Sequence, residues 1–188
     1  TLFATSLHAQ NFRPYYQLTT NLLSPIRANV SAELKYQFNE KNTVFIGAGY
    51  LRGLETVVDL RDAACTRDQG FGTYFGFEHF LIYKSTELER GVDGIALRSL
   101  LFYRYNEQQS QTCPSLIPMT LYESHQAGLA MLLAPQMVFG QRLSVGAEAG
   151  VAGFFRFRRE NTFNQGELPF VDSFKLQVPV GIRLGLLI

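Results

Sequence analysis

Residues 173–188 read SFKLQVPVGIRLGLLI. Phe174, Leu176, Val178, Val180, Ile182, Leu184, Leu186 and Ile188 fall at every second position, with Ser173, Lys175, Gln177, Pro179, Gly181, Arg183 and Gly185 between them. Successive side chains of a β-strand point to opposite faces, whereas a helix would scatter the same apolar set around its axis. The stretch is therefore predicted as a strand with one unbroken apolar face and one polar, glycine-containing face. That is the sidedness of a strand with lipid outside and a packed interior inside.

The same alternation recurs upstream. Val30, Ala32, Leu34, Tyr36 and Phe38 oppose Ser31, Glu33, Lys35 and Gln37, and Val44, Ile46, Ala48 and Tyr50 oppose Thr43, Phe45, Gly47 and Gly49. Phe71, Phe75, Phe77, Leu81 and Tyr83 oppose Gly72, Tyr74, Gly76 and Glu78, and Ile95, Leu97, Leu101, Tyr103 and Tyr105 oppose Ala96, Arg98, Phe102 and Arg104. Two further segments centre on Leu129 and Val151, and a weaker one runs from Tyr15 to Leu23, which makes eight. Period two alone also fits a soluble barrel with its apolar face inside. Glycines at 47, 49, 146, 150, 181 and 185 on the polar face fit a crowded lumen better than a solvated surface, and the apolar face is too bulky for one small ligand cavity to absorb. The prediction is an all-β fold, a closed antiparallel eight-stranded transmembrane β-barrel.

Composition agrees with this reading. Hydrophobic residues make up 46% of the 188, yet no run of roughly 18 apolar residues offers a spanning helix. Aromatic residues make up 13%, with no Trp, a load suited to interfacial girdles. Lys+Arg 17 against Asp+Glu 16 gives no basic surface for nucleic acid. TLFATSLHAQ, residues 1–10, reads as the tail of a secretory signal, leaving 11–188 as the barrel. Asn39–Asn42 and Gly140–Arg142 are expected as tight periplasmic turns, and 53–70, 106–120 and 159–172 as long extracellular loops. The short outer connection at Ser24–Arg27 and the long inner one at Ser85–Gly94 depart from that rule.

Alternating strand directions place Glu33, Glu78, Glu148, Lys35, Arg98 and Arg183 inside, near mid-membrane depth. Three acids against three bases are expected to pair and plug the lumen; an ion or proton path is the competing reading. Cys65 and Cys113 fall on neighbouring outer loops, where an oxidising compartment favours a disulfide; two thiols or a metal pair are the alternatives, although no ligand spacing resembles a metal site. Arg104, Arg156, Arg158, Arg159 and Lys175 gather near the outer mouth and suit either the phosphates of an outer-leaflet glycolipid or an ordinary hydrated rim. Glu123, Ser124 and His125 invite a triad reading, but adjacent strand residues point to opposite faces, and neither His79 nor His8 is placed to help.

The segment TTNLLSPIRANVSAELKYQFNEKNTVFIGAGY, residues 19–50, resembles the openings of small OmpA/OmpX-like eight-stranded outer-membrane proteins. The resemblance implies an integral protein of a bacterial outer membrane that needs no cofactor. Ile188 departs from that family's pattern, which commonly carries an aromatic residue there. The expected role is a non-enzymatic structural or accessory subunit, in contact with outer-membrane lipid and a larger outer-membrane complex. A lipid-modifying enzyme and a narrow channel are the rival readings.

Overall fold

Alternating apolar and polar residues extend into strands because each strand can then bury one face and leave the other in lipid. The computed structural model describes residues 14–23, 28–52, 56–57, 64–84, 92–112, 118–140, 142–162, 166–167 and 171–188. The strands are β1 (Tyr15–Leu23), β2 (Ala28–Gln37), β3 (Asn42–Arg52), β4 (Thr56–Val57), β5 (Ala64–Lys84), β6 (Asp93–Thr112), β7 (Pro118–Phe139), β8 (Leu143–Thr162), β9 (Gly166–Glu167), β10 (Val171–Gln177) and β11 (Val180–Leu187). All pairings are antiparallel, and β1 closes the barrel by placing Leu18 opposite Leu34 on one side and Leu186 on the other.

The stretch 173–188 is one barrel strand in two pieces. Gln177 pairs with Ala152 and Val180 with Ala149, so β10 and β11 keep a single register against β8. The break falls at Pro179, which has no N–H to give the ladder; its carbonyl still accepts from the Gly150 amide at 3.2 Å. Counting β10 and β11 together, and setting aside the two-residue ribbons β4 and β9, the barrel has the predicted eight strands.

The exterior is apolar over a continuous band. Ile46, Leu129, Met131 and Val151 stand exposed in its middle. A lower girdle runs Tyr16, Tyr36, Phe38, Phe77 with successive ring centroids 5.0, 6.4 and 6.5 Å apart. An upper girdle joins Phe71, Tyr103, Tyr105 and His125, with Phe155 and Phe174 on the next strands. At the lower edge Phe80 pairs with Ala96 and Ile82 with Ile95, leaving Leu81 as the extra residue of a β-bulge. Leu81 faces out as predicted, and the bulge turns Ile82 out beside it while Phe80 stays inside. The strict alternation expected from Leu81 to Tyr83 therefore does not hold. Gly94 sits where a Cβ would overlap the Ile82 carbonyl, so the bulge needs glycine opposite it.

The expected long loops are corrected in part. β5 to β8 run 20 to 22 residues against 9 to 11 for β1 to β3, so residues 64–70, 106–112, 118–120 and 159–162 are strand. Beyond the upper girdle polar residues take both parities of this sheet. Gln69, Glu107 and Glu123 line up on one face and Asn106 and Ser124 on the other, so no apolar alternation marks the extension. The tight turns are present: Asn39 Oδ1 accepts from the Lys41 and Asn42 amides at 2.9 and 2.8 Å, and Gly140 takes φ +56° in the second.

Inside, the lumen is tiered. Phe80, Val92 and Ala96 form one apolar floor and Tyr15, Val138 and Leu187 another. Gln136 Nε2 donates to the Val92 carbonyl at 3.1 Å and fixes the first. Charged residues fill the middle, and Ala130, Leu132 and Ala152 with Leu100 and Phe102 make an apolar patch above them.

Candidate functional site

Glu33 and Lys35 lie two apart on β2 and so share the inner face. Glu78 on β5 stands directly opposite Arg98 on β6. Glu148 on β8 faces Gly181, and Arg183 on β11 faces Gly146, so these two approach diagonally across glycines. The six predicted lumen charges all meet, and every one is buried, Glu78 completely.

Arg98 is the hub. Its guanidinium reaches Glu33 at 2.5 Å, Glu148 at 2.6 Å and Glu78 at 3.6 Å, and it lies 4.1 Å from the Phe45 ring centroid. Lys35 Nζ donates to Glu78 at 2.7 Å and stands 3.8 Å from Glu33. Arg183 lies 3.6 Å from both Glu78 and Glu148, at ion-pair range without a direct hydrogen bond. Asn21 Nδ2 donates to the free oxygen of Glu148 at 2.6 Å. In a low-dielectric interior such charges persist only when paired and hydrogen-bonded, and the three acids and three bases cancel.

Parity foresaw the charges but not their neutral supports. Tyr15 donates to Gln37, and Gln17 to Ser144, both on the inner face. Tyr74 hydrogen-bonds Ser31 at 3.3 Å, and its ring occupies the space that a Cβ on Gly47 would take. A Cβ on Gly185 would likewise overlap Gln17 and Ser144. Gly47 and Gly185 are thus room for neighbouring side chains, as a crowded lumen requires, while a Cβ on Gly146 or Gly150 would meet the backbone carbonyl of Pro135 or Met131. Phe45, inward beneath Arg98, also occupies the polar parity; an aromatic residue amid polar ones was its signal.

The remaining predicted residues do not gather into one site. Arg104 and Arg156 face the inside of the mouth, in register on either side of Gln126, with Arg104 5.2 Å from the Phe102 ring. Lys175 shares the inner face with buried Phe154 but is exposed. The Arg158 and Arg159 side chains lie outside the described residues. So does Cys113, and of Cys65 only the backbone, in β5, is described; the disulfide and the signal segment 1–10 stay expectations. Ser124 is buried in the lumen while His125 faces outward, its Nδ1 2.7 Å from the Tyr103 hydroxyl. The opposite-face argument against a Ser–His pair holds in the geometry.

No protein-family model matches the chain, and neither does any curated protein. Among solved structures the chain is similar to a major outer membrane protein from Thermus thermophilus, with a TM-score of 0.63 at 10% identity, over 94% of this chain and 100% of that one. Ail, the attachment invasion locus protein of Yersinia pestis, aligns with a TM-score of 0.44 at 10% identity, covering 93% and 95%. The first likeness establishes the fold of an outer-membrane β-barrel. The apolar band between aromatic girdles and the closed, polar lumen accord with it: this is a closed, antiparallel eight-stranded β-barrel of the transmembrane type.

Proposed function

We propose that the protein is a non-conducting, non-enzymatic structural or accessory component of the outer membrane, its lumen plugged by the Arg98-centred network. One observation carries this: three carboxylates and three cations interlock across the barrel, above two apolar floors. An ion entering such a lumen would have to break buried pairs, and removing one partner of a buried pair costs about 3–5 kcal/mol. Reconstituted in planar bilayers, the protein is expected to show no stable single-channel current; a reproducible open level would overturn the plug.

The partner in this reading is a larger outer-membrane complex, contacted through the lipid face or through the long outer ends of β5 to β8. Pull-down from native membranes in mild detergent, followed by mass spectrometry, tests it; recovery of the barrel alone favours a free-standing role. Glycolipid phosphates at the mouth are the further expectation, where Arg104 and Arg156 are half-buried and Lys175 is exposed. Exposed Lys175 is the cation to exchange for Gln, and reduced glycolipid co-purification is the expected result.

A further inference from the structure

Arg104 on β6, Gln126 on β7 and Arg156 on β8 stand in one register row on the inner face of the mouth. Ser173 continues the row on β10, and Lys175 follows two positions along the same face. The wall beneath the row is aromatic: Arg104 lies 5.2 Å from the Phe102 ring, and Phe102 meets Phe154 edge to face at 6.0 Å. The Arg104 stem leans across Gly72, where a Cβ would stand 3.4 Å from its Cγ. Unlike the network below, this wall is not balanced. Its described side chains include three cations, Arg104, Arg156 and Lys175, and no carboxylate above Glu33 and Glu148. Continued outward, the same parity in the sequence adds Arg158 against Asp68 and Glu160, four cations against two acids in all. A cleft lined by an excess of one sign concentrates ions of the other. The groups are also within reach of a ligand: Arg104, Gln126 and Arg156 are half-buried, Lys175 is exposed, and Arg104 lines a cavity of ≈ 100 Å³. The Gln126 side chain makes no hydrogen bond to the described residues, which leaves an amide donor open between the two guanidinium groups.

We propose that the mouth is a phosphate site filled from the water side: the phosphate monoester of a soluble molecule enters from above and is held between Arg104 and Arg156, with the Gln126 amide and the Lys175 ammonium beside it. Neighbouring strands stand about 4.8 Å apart, so two arginines with one strand between them are rooted about 10 Å apart on a concave wall, and both side chains reach an anion placed over Gln126. Guanidinium groups hold phosphate and carboxylate oxygens in the same forked geometry. An excess of more than one positive charge selects the phosphate monoester, which carries about −1.5 to −2 at neutral pH. The source follows from orientation. The three cations share the lumen face, so the barrel wall separates them from surrounding lipid, and a headgroup would have to fold over the rim to meet them. The proposal rests on reading these cations as phosphate ligands and assigns the side from which the phosphate comes. The closed network beneath makes the site a dead end.

The test has two arms, both on the full chain and both read by NMR of side-chain amide and guanidinium N–H groups. In maltoside micelles, which carry no phosphate, the protein is titrated with inorganic phosphate and with glucose 6-phosphate, against chloride at matched ionic strength. Both phosphates are expected to give saturable shifts at Gln126, Arg104 and Arg156, and chloride none. Arg104→Gln and Arg156→Gln are each expected to weaken binding about tenfold, the loss of one charge-assisted contact, and Lys175→Gln to weaken it less. In the second arm the protein sits in phosphatidylcholine nanodiscs with or without phosphatidic acid, a lipid phosphate monoester, and no free phosphate. Mouth shifts that appear only with phosphatidic acid would overturn the water-side source and leave the phosphate reading of the mouth in place. No mouth response in either arm would overturn both, as would shifts that chloride reproduces. Saturation at resonances away from the mouth would place the site elsewhere and overturn this one. The shifting positions are read on the unaltered protein, so the result stands even if the arginine variants misfold.

Discussion

Arg98 touches all three lumen carboxylates, so its loss is not the loss of one ion pair. Arg98→Met would leave Glu33, Glu78 and Glu148 with only Lys35 and Arg183, a net buried charge of one, and would open space beside Phe45. The expected cost is about 3–5 kcal/mol, the range for orphaning a buried charge. Adding Glu148→Gln restores the balance of charges and is expected to recover part of it, whereas two independent losses would add. The chain has no Trp, so far-UV circular dichroism during urea unfolding from phospholipid vesicles is the measurement. An Arg98→Met variant as stable as the parent would show that the network does not hold the lumen.

Among the elements, the strand formed by β10 and β11 is the one with a removable defect. Pro179 and Gly150 face each other, and only the bond from Gly150 N to the Pro179 carbonyl is made. Pro179→Ala supplies the missing donor, a gain of about 0.5–1.5 kcal/mol, offset by about 0.4–1 kcal/mol because the unfolded chain regains backbone freedom. Net stability is expected to change little, while amide exchange from Gln177 to Val180 slows as the two pieces become one ladder; unchanged exchange there would mean the interruption has another cause. This strand and the others between the girdles were legible because lipid and lumen impose opposite demands on alternate residues. The charged lumen was legible for the same reason: Glu33, Lys35, Glu78, Arg98, Glu148 and Arg183 all stand on the polar parity. Two features hid. At Leu81 the bulge adds a residue that alternation has no means of marking, and past Gln69 and Glu123 polar residues on both parities remove the contrast that announced the strands below. Inside the site, Gln17, Asn21 and Tyr74 were ordinary polar-face residues until the curvature of the barrel brought strands two apart within hydrogen-bond reach.

For the whole molecule, the decisive property is that its apolar surface is outside. Ile46, midway along β3, is 63% exposed, and Phe139, at the lower end of β7, is 50% exposed, so solvent accessibility alone hardly separates them. Depth in a bilayer separates them sharply. An arginine on the lipid face costs about 2–4 kcal/mol at the midplane and about 0–1 near an interface. Ile46→Arg is therefore expected to destabilise the vesicle-inserted barrel by the larger amount and Phe139→Arg by the smaller, beyond what each loses in apolar contact. In detergent micelles, whose boundary adapts to a charged side chain, the difference between the two is expected to shrink. Equal penalties in vesicles would mean that the band between Tyr16 and Phe71 does not lie across the hydrocarbon, and the interior network, stable only in a barrel sealed from water on its outside, would then lack its physical setting.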